Sequence, residues 1–283
     1  MSSIKLDILA AKQRGLYCVP GNVILKNHPA VPTVYLGLMR YTNAHNEIVS
    51  CVKYLAEYQE VKSVDTKDGS LDRTRKALTR LRNLGVLANQ GFDDCLFRVH
   101  DAFKLHFNKK YGWGYNRSQQ LLGCGYVKES EIENLRKYFR NNPNRDRTVS
   151  FISALQLLLF ARLYMEKPAG KGGFAQSESS AFAILMENQI TEGIDLKSTH
   201  ITRRLGCMRA YGLLDYSIRL VREKKRSRQM KVYLIVNHTA SRKKTLRMAE
   251  RELKKIFYEV TSVEEPQKQQ AEEAARQEAA CES

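Results

Sequence analysis

Fifteen side chains in this sequence have types and spacings suited to gripping phosphates and reading base edges. Arg73, Arg75, Lys76, Thr79, Arg80, Arg82 and Asn83 form one cluster, Thr199, Thr202, Arg203 and Arg209 a second, and Lys224, Lys225, Arg226 and Arg228 a third. Arginine and lysine neutralise phosphate oxygens, while threonine, asparagine and arginine can hydrogen-bond to base edges in the major groove. Bond-breaking chemistry finds no comparable pattern. His100 and His106 are six apart and do not make the His-hydrophobic-His pair of rolling-circle nucleases, and no HExxH, GxSxG or acidic metal triad occurs. The GKGG around Gly170 is no phosphate loop, because GxxxxGK needs a glycine where Met165 stands. The six cysteines (Cys18, Cys51, Cys95, Cys124, Cys207 and Cys281) are scattered without metal-ligand spacing. Neither an enzyme nor a metal or other cofactor is expected.

The first cluster needs a helix to present it. At 100° per residue from Leu71 to Leu84, Leu71, Thr74, Ala77, Leu78, Leu81 and Leu84 share one half of the wheel, and Asp72 joins the seven cluster residues on the other. Ser70 is expected as N-cap and Gly85 as the left-handed residue beyond the helix end. The polar half holds five basic residues against one acid, so phosphates are its natural counter-charge. Thr79, Lys76 and Asn83 lie at mid-arc, toward base edges, with Arg73, Arg75, Arg80 and Arg82 flanking them toward the backbones.

The second cluster repeats the scheme less cleanly. Ile201, Leu205, Met208, Cys207 and Tyr211 oppose Thr199, Thr202, Arg203, Gly206 and Arg209, while His200 and Arg204 intrude on the apolar side. A buried unpaired guanidinium is untenable, so Arg204 is expected to snorkel to the edge or to pair with an acid. Gly206 weakens the helix by roughly 1 kcal/mol relative to alanine and would let backbone approach a ligand closely or relieve helix packing. Strand-like alternation follows over Leu213–Leu220 and Lys231–Val236, and the third cluster lies between, which predicts a β-hairpin with a basic tip. After the first helix, Val86–Val99 carries a Gln90-Gly91 turn with Asp93 and Asp94, a wing less suited to DNA.

The fold class expected is mainly α with small β-hairpin wings (α+β), two winged helix-turn-helix domains in tandem. A chain of 283 residues supports this layout. The segments are a leader at 1–29, a first winged-helix domain at 30–108, a connecting segment at 109–147, a second domain at 148–260 with a basic C-terminal helix, and an acidic flexible tail at 261–283. Support helices are expected at Pro32–Tyr41, Asn46–Tyr58 and Val149–Tyr164, and a further helix at Glu129–Tyr138. Tyr111, Trp113 and Tyr115, interleaved with Lys109, Lys110 and Arg117, suit either a domain joint or stacking on unpaired bases. The net charge of +17 points to nucleic acid or an anionic surface. No run of 18 apolar residues occurs and MSSIKLDILAAKQRGLY lacks a signal-peptide core, so a cytoplasmic, nucleoid-associated protein without a membrane partner is expected.

In LDRTRKALTRLRNLGVL (71–87), and in ITRRLGCMRAYGLLDYSIRLVREKKRSRQMKVYLIV (201–236) followed by NHTASRKK, the chain resembles the iteron-binding replication initiators of plasmids and plasmid prophages. The resemblance implies two winged-helix domains that engage repeated origin sites on double-stranded DNA, help melt adjacent AT-rich DNA and recruit the host initiator and helicase. It also implies a homodimer that represses its own promoter. It assigns base reading to Thr199, Thr202, Arg203 and Arg209, and phosphate gripping to Lys224, Lys225, Arg226 and Arg228. Arg73, Arg75, Lys76, Thr79, Arg80 and Arg82 match the first-domain helix. The connection at 100–147 and the acidic tail depart from that pattern. A transcriptional regulator at a promoter-proximal operator, with RNA polymerase as partner, and a winged-helix protein-interaction scaffold are the alternatives.

Overall fold

The computed structural model describes residues 15–43, 47–59, 68–87, 103–106, 124–141, 150–165, 182–194, 196, 198–210, 212–222, 230–237, 242–257 and 259–263. Helices predominate over small antiparallel sheets, an α+β chain. In chain order the elements are β1 (Leu16–Pro20), α1 (Gly21–Ile24), α2 (Ala30–Arg40), β2 (Glu47–Ser50), α3 (Val52–Gln59), α4 (Asp68–Asn83), β3 (Phe103–His106), β4 (Cys124–Lys128), α5 (Glu129–Asn141), α6 (Phe151–Tyr164), β5 (Phe182–Met186), α7 (Glu187–Ile194), α8 (Ser198–Ala210), β6 (Asp215–Arg222), β7 (Met230–Asn237), α9 (Arg242–Ile256) and β8 (Glu259–Val263). Contacts divide the chain into two compact units, residues 1–165 with 188–214, and residues 166–187 with 215–283. These bounds differ from those expected at 30–108 and 148–260.

The first unit is built on α6. Every residue from Phe151 to Arg162 is buried, which requires apolar side chains all round the helix, and FISALQLLLFA supplies them. A capping box starts the helix: Ser150 Oγ accepts from the Ser153 amide, and Ser153 Oγ accepts from the Ser150 amide, each at 3.3 Å. Around α6 pack α1, α2, α5, α8 and β4. Its two long polar side chains are satisfied where they are buried. Gln156 Nε2 donates to the carbonyls of Ile24 (3.1 Å) and Asn27 (2.8 Å). The Arg162 guanidinium, 1% exposed, makes two 2.7 Å bonds to the Glu131 carboxylate and one of 3.0 Å to the Tyr126 carbonyl.

These contacts revise the sequence reading in two places. From Leu16 the expected leader is core: β1 pairs antiparallel with β4, and Val19, Val23 and Ile24 are fully buried. The expected connecting segment also holds core elements, since β4 lies on α6 so closely that a Cβ on Gly125 would collide with the Leu159 backbone, and α5 buries Ile132, Leu135 and Phe139. A third revision concerns Asn46–Tyr58. Its first part is strand β2, which pairs with β3, burying Ile48 and exposing Val49; the helix begins only at Val52. Strand alternation with a partner wins over helical spacing there. The Pro32–Tyr41 and Val149–Tyr164 helices are present as α2 and α6, and Glu129–Tyr138 as the slightly longer α5.

The second unit is a four-stranded antiparallel sheet, β5-β7-β6-β8, with α9 packed on it. Phe182 and Val221 of the sheet, Ala249 and Leu253 of α9, and Phe257 just beyond it form its core. The expected hairpin is present: β6 and β7 pair from Asp215↔Asn237 to Arg222↔Met230. The segment expected to begin the tail at 261 is still strand to Val263, because β8 pairs with β6.

Candidate nucleic-acid interface

Helix α4, 16 residues and about 24 Å long, packs on α2 and α3. Leu71, Thr74, Ala77, Leu78 and Leu81 are buried; Asp72, Arg73, Lys76, Arg80 and Asn83 are exposed, and Arg75, Thr79 and Arg82 half-buried. The division is the one expected from the wheel except at Leu84, which is only half-buried at the helix end. Thr74, the polar residue on the apolar half, is accommodated by two hydrogen bonds. Its hydroxyl donates to the Ser70 carbonyl (2.8 Å) and accepts from Gln59 Nε2 (2.6 Å).

Three details were not legible. The helix starts at Asp68, so Ser70 lies inside the first turn, buried and with no hydrogen-bond partner on its hydroxyl among the described residues, and is not the N-cap. The single acid of the polar half is engaged, Asp72 Oδ2 lying 2.7 Å from Lys76 Nζ. An exposed i,i+4 pair is worth only about 0.3–0.5 kcal/mol, so a phosphate can compete for the lysine. Arg80 is partly committed to the fold, its Nε donating to Asn27 Oδ1 at 2.7 Å, which docks the helix on the turn before α2. Near that turn, burial first and the charge of Arg73 second hold the His28 imidazole below its ordinary pKa, so the ring is neutral at pH 7.

Helix α8 packs on α6 in the same unit. Ile201, Leu205 and Met208 are buried, Arg203 is exposed, and Thr202, Gly206, Cys207 and Arg209 are half-buried. Thr199 lies in its first turn. Arg204 does not snorkel: it is 6% exposed, with Nε donating to Ser153 Oγ (3.1 Å) and Nη1 to the His200 carbonyl (3.3 Å). Ser153, the inner member of the α6 capping box, is thus also an anchor for α8.

The two helices end in the same turn. Gly85 (φ +72°) donates to the Arg82 carbonyl at 2.8 Å and Val86 to that of Leu81 at 3.0 Å. Gly212 (φ +66°) donates to the Arg209 carbonyl and Leu213 to that of Met208, both at 3.0 Å. Both are Schellman motifs with glycine in the left-handed position, followed by two buried aliphatic residues, Val86-Leu87 and Leu213-Leu214.

Lys224, Lys225, Arg226 and Arg228 lie outside the described residues, as do the Gln90-Gly91 turn, Trp113 with its aromatic neighbours, the GKGG loop and the tail from Glu264. The strands β6 and β7 that flank the first of these groups are described. Sequence reasoning expected a basic C-terminal helix here but assigned none of its residues to DNA; Arg247, Arg251, Lys254 and Lys255 are all exposed on α9. The i, i+4, i+7, i+8 spacing of those cations was the signal.

Among the described residues no group of three or more His, Cys, Asp or Glu side chains could hold a metal ion, and no helix is long and apolar enough to cross a membrane. No protein-family model matches the chain, and no curated protein matches its sequence.

Proposed function

We propose that the protein binds double-stranded DNA sequence-specifically through two winged helix-turn-helix motifs in tandem. The observation that carries the reading is the cationic face of α4, which stands exposed on a helix whose opposite face is buried, while α8 repeats its terminal turn. Element order supports it. From α6 the chain runs helix, strand, helix, helix, strand, strand, with β5-β7-β6 adjacent in the sheet. From α2 it runs helix, strand, helix, helix, then β3, which returns to pair with β2. That order is the one a winged helix uses, and in it α4 and α8 are the groove-reading helices. Arg73, Lys76, Asn83 and Arg203 are the exposed groups for that task, with Arg75, Thr79, Arg82, Thr202 and Arg209 at its margins.

The resemblance to plasmid replication initiators takes the proposal further: the protein binds repeated origin sites, promotes local melting of AT-rich DNA and meets the host initiator and helicase, with a homodimer as a second state in the cytoplasm. Selection of bound duplexes from random and native DNA at physiological salt, followed by footprinting with a probe of unpaired thymine, tests it. Tandem repeats with a reactive AT-rich flank are expected. A single unmelted promoter-proximal site would replace initiation with transcriptional regulation, and absence of any enriched sequence would remove specific DNA binding altogether.

A further inference from the structure

Helix α9 carries a segregated charge pattern that the two groove-reading helices do not account for. Placed at 100° per residue, Leu246, Ala249 and Leu253 point toward the sheet, where Ala249 and Leu253 join the core and Leu246 packs on it. Arg247, Arg251, Lys254 and Lys255 fall together on one exposed flank, and Met248, Glu252 and Ile256 on the other. The two acids of this stretch do little to neutralise the cationic flank. Glu250 is taken by Arg219 of β6, Oε1 lying 2.5 Å from Nη2 and 3.1 Å from Nε. Among the described residues Glu252 meets only Lys255, at 2.7 Å in an exposed i,i+3 pair. Arg247, Arg251 and Lys254 have no acidic partner among the described residues.

We infer that this flank of α9 is a third DNA contact, a sequence-independent clamp on the phosphate backbone. The inference rests on the DNA-binding reading above and adds a surface to it. From the first to the last of the four cations is about 12 Å along the helix, a length over which duplex DNA presents about seven phosphates. The flank offers only cations, the side chains that neutralise phosphate oxygens, and on the reading above α4 and α8 take the grooves, so its chemistry is charge neutralisation. An anionic lipid surface suits it less, because Leu246, Ala249 and Leu253 are spent on the sheet and the exposed Met248 and Ile256 lie on the other flank, beside Glu252. The flank belongs to the same unit as the β6–β7 hairpin, whose connecting sequence is itself rich in lysine and arginine.

The test uses the full chain and the variant R247Q/R251Q/K254Q/K255Q, titrated onto a labelled random-sequence duplex of about 30 base pairs between about 50 and 200 mM salt. Each phosphate contact removed flattens the slope of log affinity against log salt by about 0.9, so the variant should lose about 3 to 4 units of slope. Its affinity should fall by the same factor on random and on preferred DNA. Single Arg251→Gln, losing about one unit, guards against misfolding of the quadruple variant, and Glu252→Gln on the opposite flank should not flatten the slope. An unchanged slope in a wild type that binds DNA overturns the clamp and leaves the groove-reading proposal standing. A wild type that binds no duplex overturns both. Loss of binding to phosphatidylserine vesicles with DNA binding intact would assign the flank to lipid instead.

Discussion

Replacing Glu131 with glutamine asks whether residues 124–141 are core or connector. The carboxylate takes two charged hydrogen bonds from Arg162 at 2.7 Å and one from the Lys128 amide at 2.8 Å. The amide keeps the shape but presents an NH2 group to a guanidinium and removes the charge, leaving a cation that is 1% exposed without its counter-ion. Removing one partner of a buried pair costs about 3–5 kcal/mol; since the Glu131 side chain is 18% exposed, the lower end, about 3 kcal/mol, is expected. The double variant Arg162→Met with Glu131→Leu should cost less than the single one. It removes both charges together and forfeits chiefly the bond to the Tyr126 carbonyl, worth about 1–3 kcal/mol. Urea denaturation followed by far-UV circular dichroism measures both. The pair also has a pH signature. Burial on its own raises the Glu131 pKa, but the hydrogen bonds and charge of Arg162 outweigh it and hold the carboxyl below its ordinary range. A depressed folded-state pKa stabilises above the unfolded value of about 4.3 and is lost as pH falls through the folded one. The gap between wild type and Glu131→Gln should therefore be full at pH 7 and narrow in acid. A single variant within 1 kcal/mol of wild type, or a double variant less stable than the single one, would refute the reasoning, the magnitude compared being that of about 3 kcal/mol above.

Alanine at Gly85 or Gly212 forces a Cβ into left-handed backbone and should cost about 1–2 kcal/mol at each site, read by the same denaturation, with asparagine costing less. Thr74→Val deprives the buried Gln59 amide of its 2.6 Å partner and should cost about 1–3 kcal/mol, much of it recovered in Thr74→Val with Gln59→Leu; no recovery would mean the hydroxyl is incidental. Lys76→Ala and Arg203→Ala should each cost roughly 1–3 kcal/mol on the preferred DNA site and relax selection at one base position, and equal losses on random duplex would remove both from base reading.

Local pattern made α4 readable almost residue by residue, because a helix with one apolar and one cationic half leaves a single way to bury Leu78 and Leu81. The glycine turns were readable for the same reason, as a left-handed residue after an aliphatic turn is a local demand. What depended on distant partners was not. Nothing around Leu16 announces that it will pair with Lys128, nor around Glu131 that Arg162 will need it, so both segments read as flanking chain. Arg204 is the instructive case at the site: its burial was correctly seen as a problem, but one part of the solution, a serine hydroxyl from the capping box of another helix, lies in tertiary structure. The basic flank of α9 was visible in the spacing of its cations and lacked only the knowledge of which side faces the sheet.

Both α4 and α8 belong to one compact unit, and the helices they rest on, α2 and α6, pack against each other. On the proposed reading, occupancy of one of these helices by DNA is therefore shared as folding free energy with the other. A DNA site that engages α4 at a hundred times its Kd adds about 2.7 kcal/mol against unfolding of everything that melts with it, α8 included. Damage to the footing of either helix weakens that common reserve in the same way, so lesions in the two copies should be felt through one melting transition.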